Sequence, residues 1–355
     1  MRESSKTNDS VYELLAHPIR EALVHLGFKS PYPPQTAAIP KILDGVDVLI
    51  IAPAGTGKTE AAILPVLHNL LREPRREGIA ILYITPMRAL NRDLAKRLSF
   101  WGKHLDLRIE VRHGDTPTKI RRRQAKRPPD LLVTTPETLQ AILPGKQMQK
   151  HLRDIRWVII DEIHELAESK RGVQLALGLE RLREITGENF QRIGISATIS
   201  EPSTIARFLS GTNKQAEIIQ SPVERTMEYK VEYPFPTEED YELAPSLYTT
   251  PETTARINRM RELMQSHRST LIFVNSRTNA EMLGNRLGMI DNTVRVHHGS
   301  LSKEERTQVE EELKAGTIKG IICTSTLELG IDIGTVDLVL QHMSPRQVSP
   351  FVQRV

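Results

Sequence analysis

The stretch IAPAGTGKTE, residues 51–60, narrows the folds open to this chain more than any other ten residues. An apolar, strand-like run, DVLIIAP, leads into a turn carrying Gly55 and Gly57, and a helical pattern begins around Gly57. Glycine at these places removes side chains where backbone N–H groups must curl around an anion, so the sequence reads as a cradle for phosphate. Within it Lys58 would reach the β- and γ-phosphates of a nucleotide, and the Thr59 hydroxyl would ligate Mg²⁺. Ala54, Gly55, Thr56, Gly57, Lys58 and Thr59 are the candidate ATP-binding residues of the loop. The strict spacing asks for Gly where Ala52 stands, but strand before and helix after supply the context such a loop requires.

A phosphate cradle of this kind needs a parallel sheet around it. Short runs rich in aliphatic residues, DVLIIAP, IAILYITP, LRIEVRHG, DLLVTTP, RWVIIDE and QRIGISAT, alternate with amphipathic or charged segments. Buried apolar strands divided by helices predict a parallel sheet with helices on both faces. The pattern breaks at SPVERT and again across PFPTEEDYELAPSLYTTPE, then resumes with STLIFVNS, TVRVHHGS, IKGIICTS and VDLVLQHM. The expectation is an α/β protein of two domains, residues 1–221 and 222–355, with residues 234–251 as a loop or insertion. Its 355 residues suit two domains, each large enough for its own core.

Composition excludes more than it selects. Charged residues make up 26% of the chain and a net charge of +4 tilts it weakly towards a polyanionic partner. The single cysteine, Cys323, lies in the apolar run GIICTST, which rules out disulfides and cysteine-ligated clusters within the chain and reads as a small buried hydrophobe. The polar start MRESSKTNDS lacks the apolar core of a signal peptide, and no stretch approaches about 18 apolar residues. A cytoplasmic protein without a membrane partner is expected.

A nucleotide loop also needs a carboxylate at the end of a neighbouring strand. RWVIIDEIHELAE supplies one: Asp161 would hold Mg²⁺, and Glu162 would orient and deprotonate an attacking water. An acidic pair at a helix start can also serve helix-dipole matching, which does not compete with that role. His164 is in isolation no more than a polar residue after a strand.

The letters Asp-Glu-Ile-His resemble the DExH box of superfamily 2 helicases, and further stretches match that family in order. GFKSPYPPQTAAIP is similar to the Q motif, implying that Gln35 reads the adenine edge; TPMRALNRD resembles motif Ia, TTPETL motif Ib and SAT motif III. LIFVNSRT, HHGS and CTSTLELGIDIG resemble motif IV, its follower and motif V. PYPPQ, DEIHEL, SKRG and TLELGIDIG together are most like the Lhr (large helicase-related) group.

That resemblance implies two tandem RecA-like P-loop domains, the second incomplete, and an ATP- and Mg²⁺-dependent motor translocating 3′ to 5′ on single-stranded or tailed duplex DNA, with RNA the alternative. It implies ATP contacts from Gly330 and Asp332, coupling roles for His164, Ser196, Thr198 and Gln353, and nucleic-acid contacts from Arg88, Thr135, Ser276, Arg277, His298, Gly299, Thr324 and Ser325. Each has a plainer reading: Ser and Thr after strands cap helices, and Arg88 and Arg277 are solvated charges. Glu137 repels phosphate unless it orients a donor. The basic run TKIRRRQAKRPP, with six Lys or Arg residues and no aromatic, reads mainly as a solvated face and secondarily as an auxiliary backbone contact. His297 and His298 point to opposite strand faces, so no metal beyond nucleotide-bound Mg²⁺ is expected.

Two other readings are a nucleotide-gated clamp that does not unwind processively and a translocase that displaces proteins. Gln353 and Arg354 match only the opening of motif VI, so the sequence is expected to stop inside that motif and, by itself, to hydrolyse ATP weakly.

Overall fold

A computed structural model of the chain describes residues 10–53, 55–74, 77–86, 92–167, 169–187, 190–197, 199, 201–211, 215–221, 228–324, 327 and 336–345. Cα proximity divides the chain into two compact units, Met1–Glu224 and Arg225–Val355. The domain break expected after residue 221 lies at 222–227, outside the described residues.

Aliphatic runs become short strands in the first unit: β1 (Val48–Ile51), β2 (Ile81–Ile84), β3 (Ile109–Arg112), β4 (Leu131–Thr134), β5 (Trp157–Ile160), β6 (Gln191–Ser196) and β7 (Glu217–Gln220). They form one sheet in the order β3-β4-β2-β5-β6-β1-β7, every pairing parallel. Strand alternation sends Val48 and Ile50 into one apolar core and Leu49 and Ile51 into another, while Ile81 and Tyr83 part from Leu82 and Ile84 in the same way. The sheet is thus covered on both faces, which explains why its inner strands carry apolar residues at successive positions rather than only at alternate ones.

β7 is absent from the sequence-based expectation. It pairs with β1 at the sheet margin and exposes three of its four residues, so Glu217-Ile-Ile-Gln220 lacks the aliphatic run that marks the inner strands.

The second unit holds β8 (Thr270–Phe273), β9 (Val294–His297), β10 (Gly320–Cys323) and β11 (Leu338–Gln341) in a parallel sheet ordered β11-β8-β10-β9. Cys323 is fully buried in β10, as its apolar run implied. The segment 234–251, expected as a loop or insertion, contains the helix Glu238–Leu243. Thr237 and Asp240 close a capping box at its start, and Glu238, Glu239 and Asp240 suit the positive end of the helix; the acids that suggest a linker are the helix start signal. Among the described residues, no helix is long and apolar enough to cross a membrane.

Candidate nucleotide site and strand-binding residues

The loop after β1 adopts the backbone its glycines permit. Gly55 and Gly57 have φ of 73° and 76°, in the left-handed region that residues with a Cβ enter at a cost. Gly57 caps the helix Lys58–Arg72, and Thr56 Oγ1 donates to the Pro53 carbonyl at 2.7 Å, closing the turn. A Cβ on Gly57 would also fall 2.4 Å from Gln35 Nε2.

Gln35 is fully buried and engaged at both ends. Its Oε1 accepts from the Tyr12 hydroxyl at 2.6 Å and the Tyr32 N–H at 2.9 Å, while Nε2 donates to the Gly57 carbonyl at 3.2 Å. The amide therefore ties the N-terminal helices to the loop itself. Lys58 Nζ lies at the other flank, donating to the Ser196 carbonyl at the end of β6, 3.2 Å away. Thr59 follows in the first helical turn, half-buried.

The strand order brings the acids to the same place, because β5 lies beside β6 and β6 beside β1. Asp161 and Glu162 follow β5 directly. Asp161 Oδ2 accepts from the Tyr83 hydroxyl at 2.6 Å and Oδ1 from the Glu162 N–H at 3.0 Å. Burial and then the charge of Glu162 raise the Asp161 carboxyl to about 6, against the opposing pull of the Tyr83 hydrogen bond and Lys58. Burial also lifts the Glu162 carboxyl, with Lys58 acting against it.

Glu162 carries two further marks of a working residue. Its φ is 48°, a left-handed conformation that costs a non-glycine residue about 1–2 kcal/mol. Its Oε2 is shielded from solvent yet has no hydrogen-bond partner, with His164 Nδ1 3.6 Å away. His164 Nδ1 in turn lies 3.0 Å from Ser196 Oγ, so the DEIH segment and the end of β6 are linked by side chains as well as by strand pairing.

Among the described residues, the strand-binding candidate of the first unit lies at the end of β4. Thr135 is buried and caps the helix Pro136–Ile142, accepting from the Thr138 N–H at 3.3 Å. Glu137 takes Arg171 in two-pronged fashion: Nε to Oε1 at 2.5 Å and Nη2 to Oε2 at 3.2 Å. Burial pushes the Glu137 carboxyl up, but hydrogen bonds headed by that of Arg171 outweigh it and hold the group below its ordinary range. In the helix Thr118–Lys126, Arg121 turns back to the His113 and Gly114 carbonyls and Arg123 pairs with Glu110 at 3.1 Å, so part of the basic run is committed within the unit.

In the second unit Ser276 caps the helix Arg277–Ile290 and accepts from the Asn279 N–H at 3.1 Å. Arg277 Nη1 donates to Ser300 Oγ at 2.6 Å, and Ser300 N–H donates to His298 Nδ1 at 3.2 Å. His298 Nε2 meets Glu281 at 2.6 Å and His297 Nε2 meets Glu310 at 3.2 Å, the two rings facing different helices. Gly299 is exposed in the turn beyond, and Thr324 is half-buried just after β10. Ala54, Arg88, Thr198, Ser325, Gly330, Asp332 and Gln353 lie outside the described residues.

Two site residues escape sequence reasoning. Tyr83 is hidden in the run ILYI, where its ring reads as one more apolar strand residue; the one polar tip in that run is the only signal. Arg171 belongs to SKRG, a stretch that suggests kinship but no role.

Known proteins share this arrangement. Residues 32–206 match the DEAD/DEAH box helicase family model, and residues 255–355 match the helicase conserved C-terminal domain. The chain belongs to the DEAD/DEAH box helicases. Among relatives of this family, it is 38% identical to the ATP-dependent helicase Lhr-Core of Methanocaldococcus jannaschii, covering 98% of this chain and 42% of that protein. With the ATP-dependent helicase Lhr-Core of Sulfolobus acidocaldarius it shares 38% identity over 92% of this chain and 40% of that protein. The helicase Lhr of Mycobacterium smegmatis, solved bound to ssDNA and AMP-PNP, superposes with a TM-score of 0.81 at 36% identity, covering 97% of this chain and 46% of that one. The chain thus spans less than half the length of these DEAD/DEAH box relatives.

Proposed function

We propose that the chain is the motor of an Lhr-type helicase, hydrolysing ATP to move 3′ to 5′ along single-stranded DNA and separate strands. Its two domains would be residues 1–221 and 222–355. The observation that carries the reading is the state of Glu162: a carboxyl with one oxygen unpartnered, a pKa raised by burial and a strained backbone, placed beside a phosphate loop. A carboxylate raised by burial and placed beside the phosphates is a better proton acceptor than a free one, as a general base for water must be.

In the proposed cycle the loop N–H groups from Ala54 to Thr59 and the Lys58 ammonium receive the phosphates, and Gln35, Gly330 and Asp332 contact the nucleoside. Thr59 and Asp161 offer the hard oxygens suited to Mg²⁺, a donor set that fits an ion sharing its shell with phosphate and water. When bound, the ion neutralises charge on the phosphates. Glu162 holds and deprotonates the attacking water. The 3.0 Å contact of His164 with Ser196 supports a coupling role for these two residues, and Thr198 and Gln353 would share it.

Arg88, Thr135, Ser276, Arg277, His298, Gly299, Thr324 and Ser325 would grip the DNA backbone without reading bases, as a motor must pass every sequence. A reducing cytoplasm is the proposed location, consistent with a single, buried cysteine.

ATP turnover with and without single-stranded DNA, followed by strand displacement on duplexes with 3′ or 5′ tails, tests the proposal. Turnover is expected to be weak but raised by DNA, with displacement, where it occurs, starting from the 3′ tail. Turnover indifferent to DNA would overturn the motor, and stimulation without displacement would replace it with a nucleotide-gated clamp.

A further inference from the structure

Glu137 is an anion among residues proposed to hold a polyanion, and its partner explains why it can be there. Both of its oxygens are taken by Arg171, whose Nη2 also donates to the Pro86 carbonyl at 2.5 Å. Pro86 stands just beyond β2, two residues before Arg88 in sequence, and Glu137 stands two residues after Thr135. One guanidinium therefore fixes the exits of two strands, β2 and β4, that both lead into proposed DNA contacts.

Arg171 itself is placed with little freedom. Ser169 Oγ accepts from the Gly172 N–H at 3.4 Å at the start of the helix Lys170–Thr186, and a Cβ on Gly172 would lie 2.1 Å from the Leu166 carbonyl. Only glycine lets this helix start so close to the preceding turn, and that approach sets where the neighbouring Arg171 begins. The helix packs on Pro136–Ile142, where Gln140 donates to the Gln174 carbonyl and Arg181 reaches Gln140 at 3.3 Å. Those contacts already hold the two helices together; Arg171 alone among them extends to the β2 exit.

We propose that Arg171 is a positioning residue for DNA binding, a two-pronged clamp that holds Glu137 against the β2 exit at Pro86 and so places the phosphate contact of Thr135. The inference rests on the strand-binding role proposed for Thr135. Planar, two-point geometry is the property at work, and lysine cannot supply it.

The sign of one substitution separates this from simple electrostatics. Removing a negative charge close to DNA should tighten binding if charge alone matters. If Glu137 works by holding Arg171, Glu137→Gln should instead weaken it.

The test measures binding of a fluorescent single-stranded oligonucleotide to the 355-residue chain by anisotropy, with affinity for a fluorescent ATP analogue as a second readout. Arg171→Ala, Arg171→Lys and Glu137→Gln are each expected to weaken DNA binding about 5- to 20-fold, the range of a lost charge-assisted pair. Nucleotide affinity should stay within about twofold, a result that a merely misfolded variant would not give. Glu137→Gln that tightens DNA binding, or Arg171→Lys that matches the wild type, overturns the clamp. A wild-type chain that binds no oligonucleotide overturns the proposed function, and the clamp with it.

Discussion

At the end of β5, burial lifts the carboxyl groups of Asp161 and Glu162 above their ordinary range, whereas in the second unit Glu232, Asp240, Asp291, Glu305 and Asp337 are all held below it. For Glu162 the difference lies in the donors, whereas Asp161, which has two, is lifted by burial and by the charge of Glu162 beside it. Asp240 is half surrounded by groups that want its charge: burial alone would raise it, but the Thr237 N–H and hydroxyl and the Asn258 amide prevail. Glu232 has Arg259 across both oxygens and Lys230 beside it. Glu162 has an orphan oxygen instead. Acids that are fully answered build structure, and an acid left unanswered in a shielded place is held ready for something that arrives later.

The contrast breaks or sharpens under substitution. Glu162→Gln should lower ATP turnover about 10²- to 10⁴-fold, the usual worth of a general base, while leaving nucleotide affinity and melting temperature near the wild-type values. Lys58→Ala should differ by weakening nucleotide binding itself. Equilibrium titration, single-turnover kinetics and a thermal scan read these outcomes, and turnover retained in Glu162→Gln would remove it from the chemistry.

Asp240→Ala should behave in the opposite manner, costing about 1–2 kcal/mol in urea unfolding through the lost cap of Glu238–Leu243. An unchanged urea midpoint would show that the well-answered acids do not hold the second unit. Tyr83→Phe removes one of Asp161's two donors. A net hydrogen bond of about 0.5–1.5 kcal/mol corresponds to a roughly 2- to 10-fold higher Mg²⁺ requirement for turnover, and an unshifted Mg²⁺ titration would limit Tyr83 to packing.

The smallest effect concerns acid. The hydrogen bonds of Arg259 and Lys230 bring Glu232 from 4.5 to about 2. A carboxyl depressed in the folded state stabilises the fold above its unfolded pKa, and that contribution fades as pH falls through the folded one. The pair is solvent-exposed, so the melting temperatures of wild type and Glu232→Gln should differ slightly at pH 7 and converge between about pH 4.5 and 2. A gap that widens on acidification would reverse the sign assigned to this group.

Strands with unbroken aliphatic runs were legible in the sequence because a sheet covered on both faces demands them. β7 was not, since three of its four residues face solvent. The helix Glu238–Leu243 is not legible within the segment read as a loop or insertion until Thr237 and Asp240 are recognised as a capping pair. Asp161 and Glu162 are conspicuous as an acidic pair at a strand end, and Lys58 as part of a Gly-rich turn. Their partners are not: Tyr83 is 78 residues from Asp161, Ser196 is 138 from Lys58, and Arg171 is 34 from Glu137. Such pairings follow from which strands lie side by side, and periodicity says nothing about strand order.

The Ser196 carbonyl accepts from both Lys58 Nζ and the Ala52 N–H, each at 3.2 Å. A phosphate entering the loop must take the ammonium from that oxygen. Because Ala52 stays behind, the exchange strands no buried acceptor, and the ladder between β1 and β6 keeps its register while the lysine changes hands. The loop thus has a parking place for its cation, one that can be vacated without disturbing the sheet that holds it.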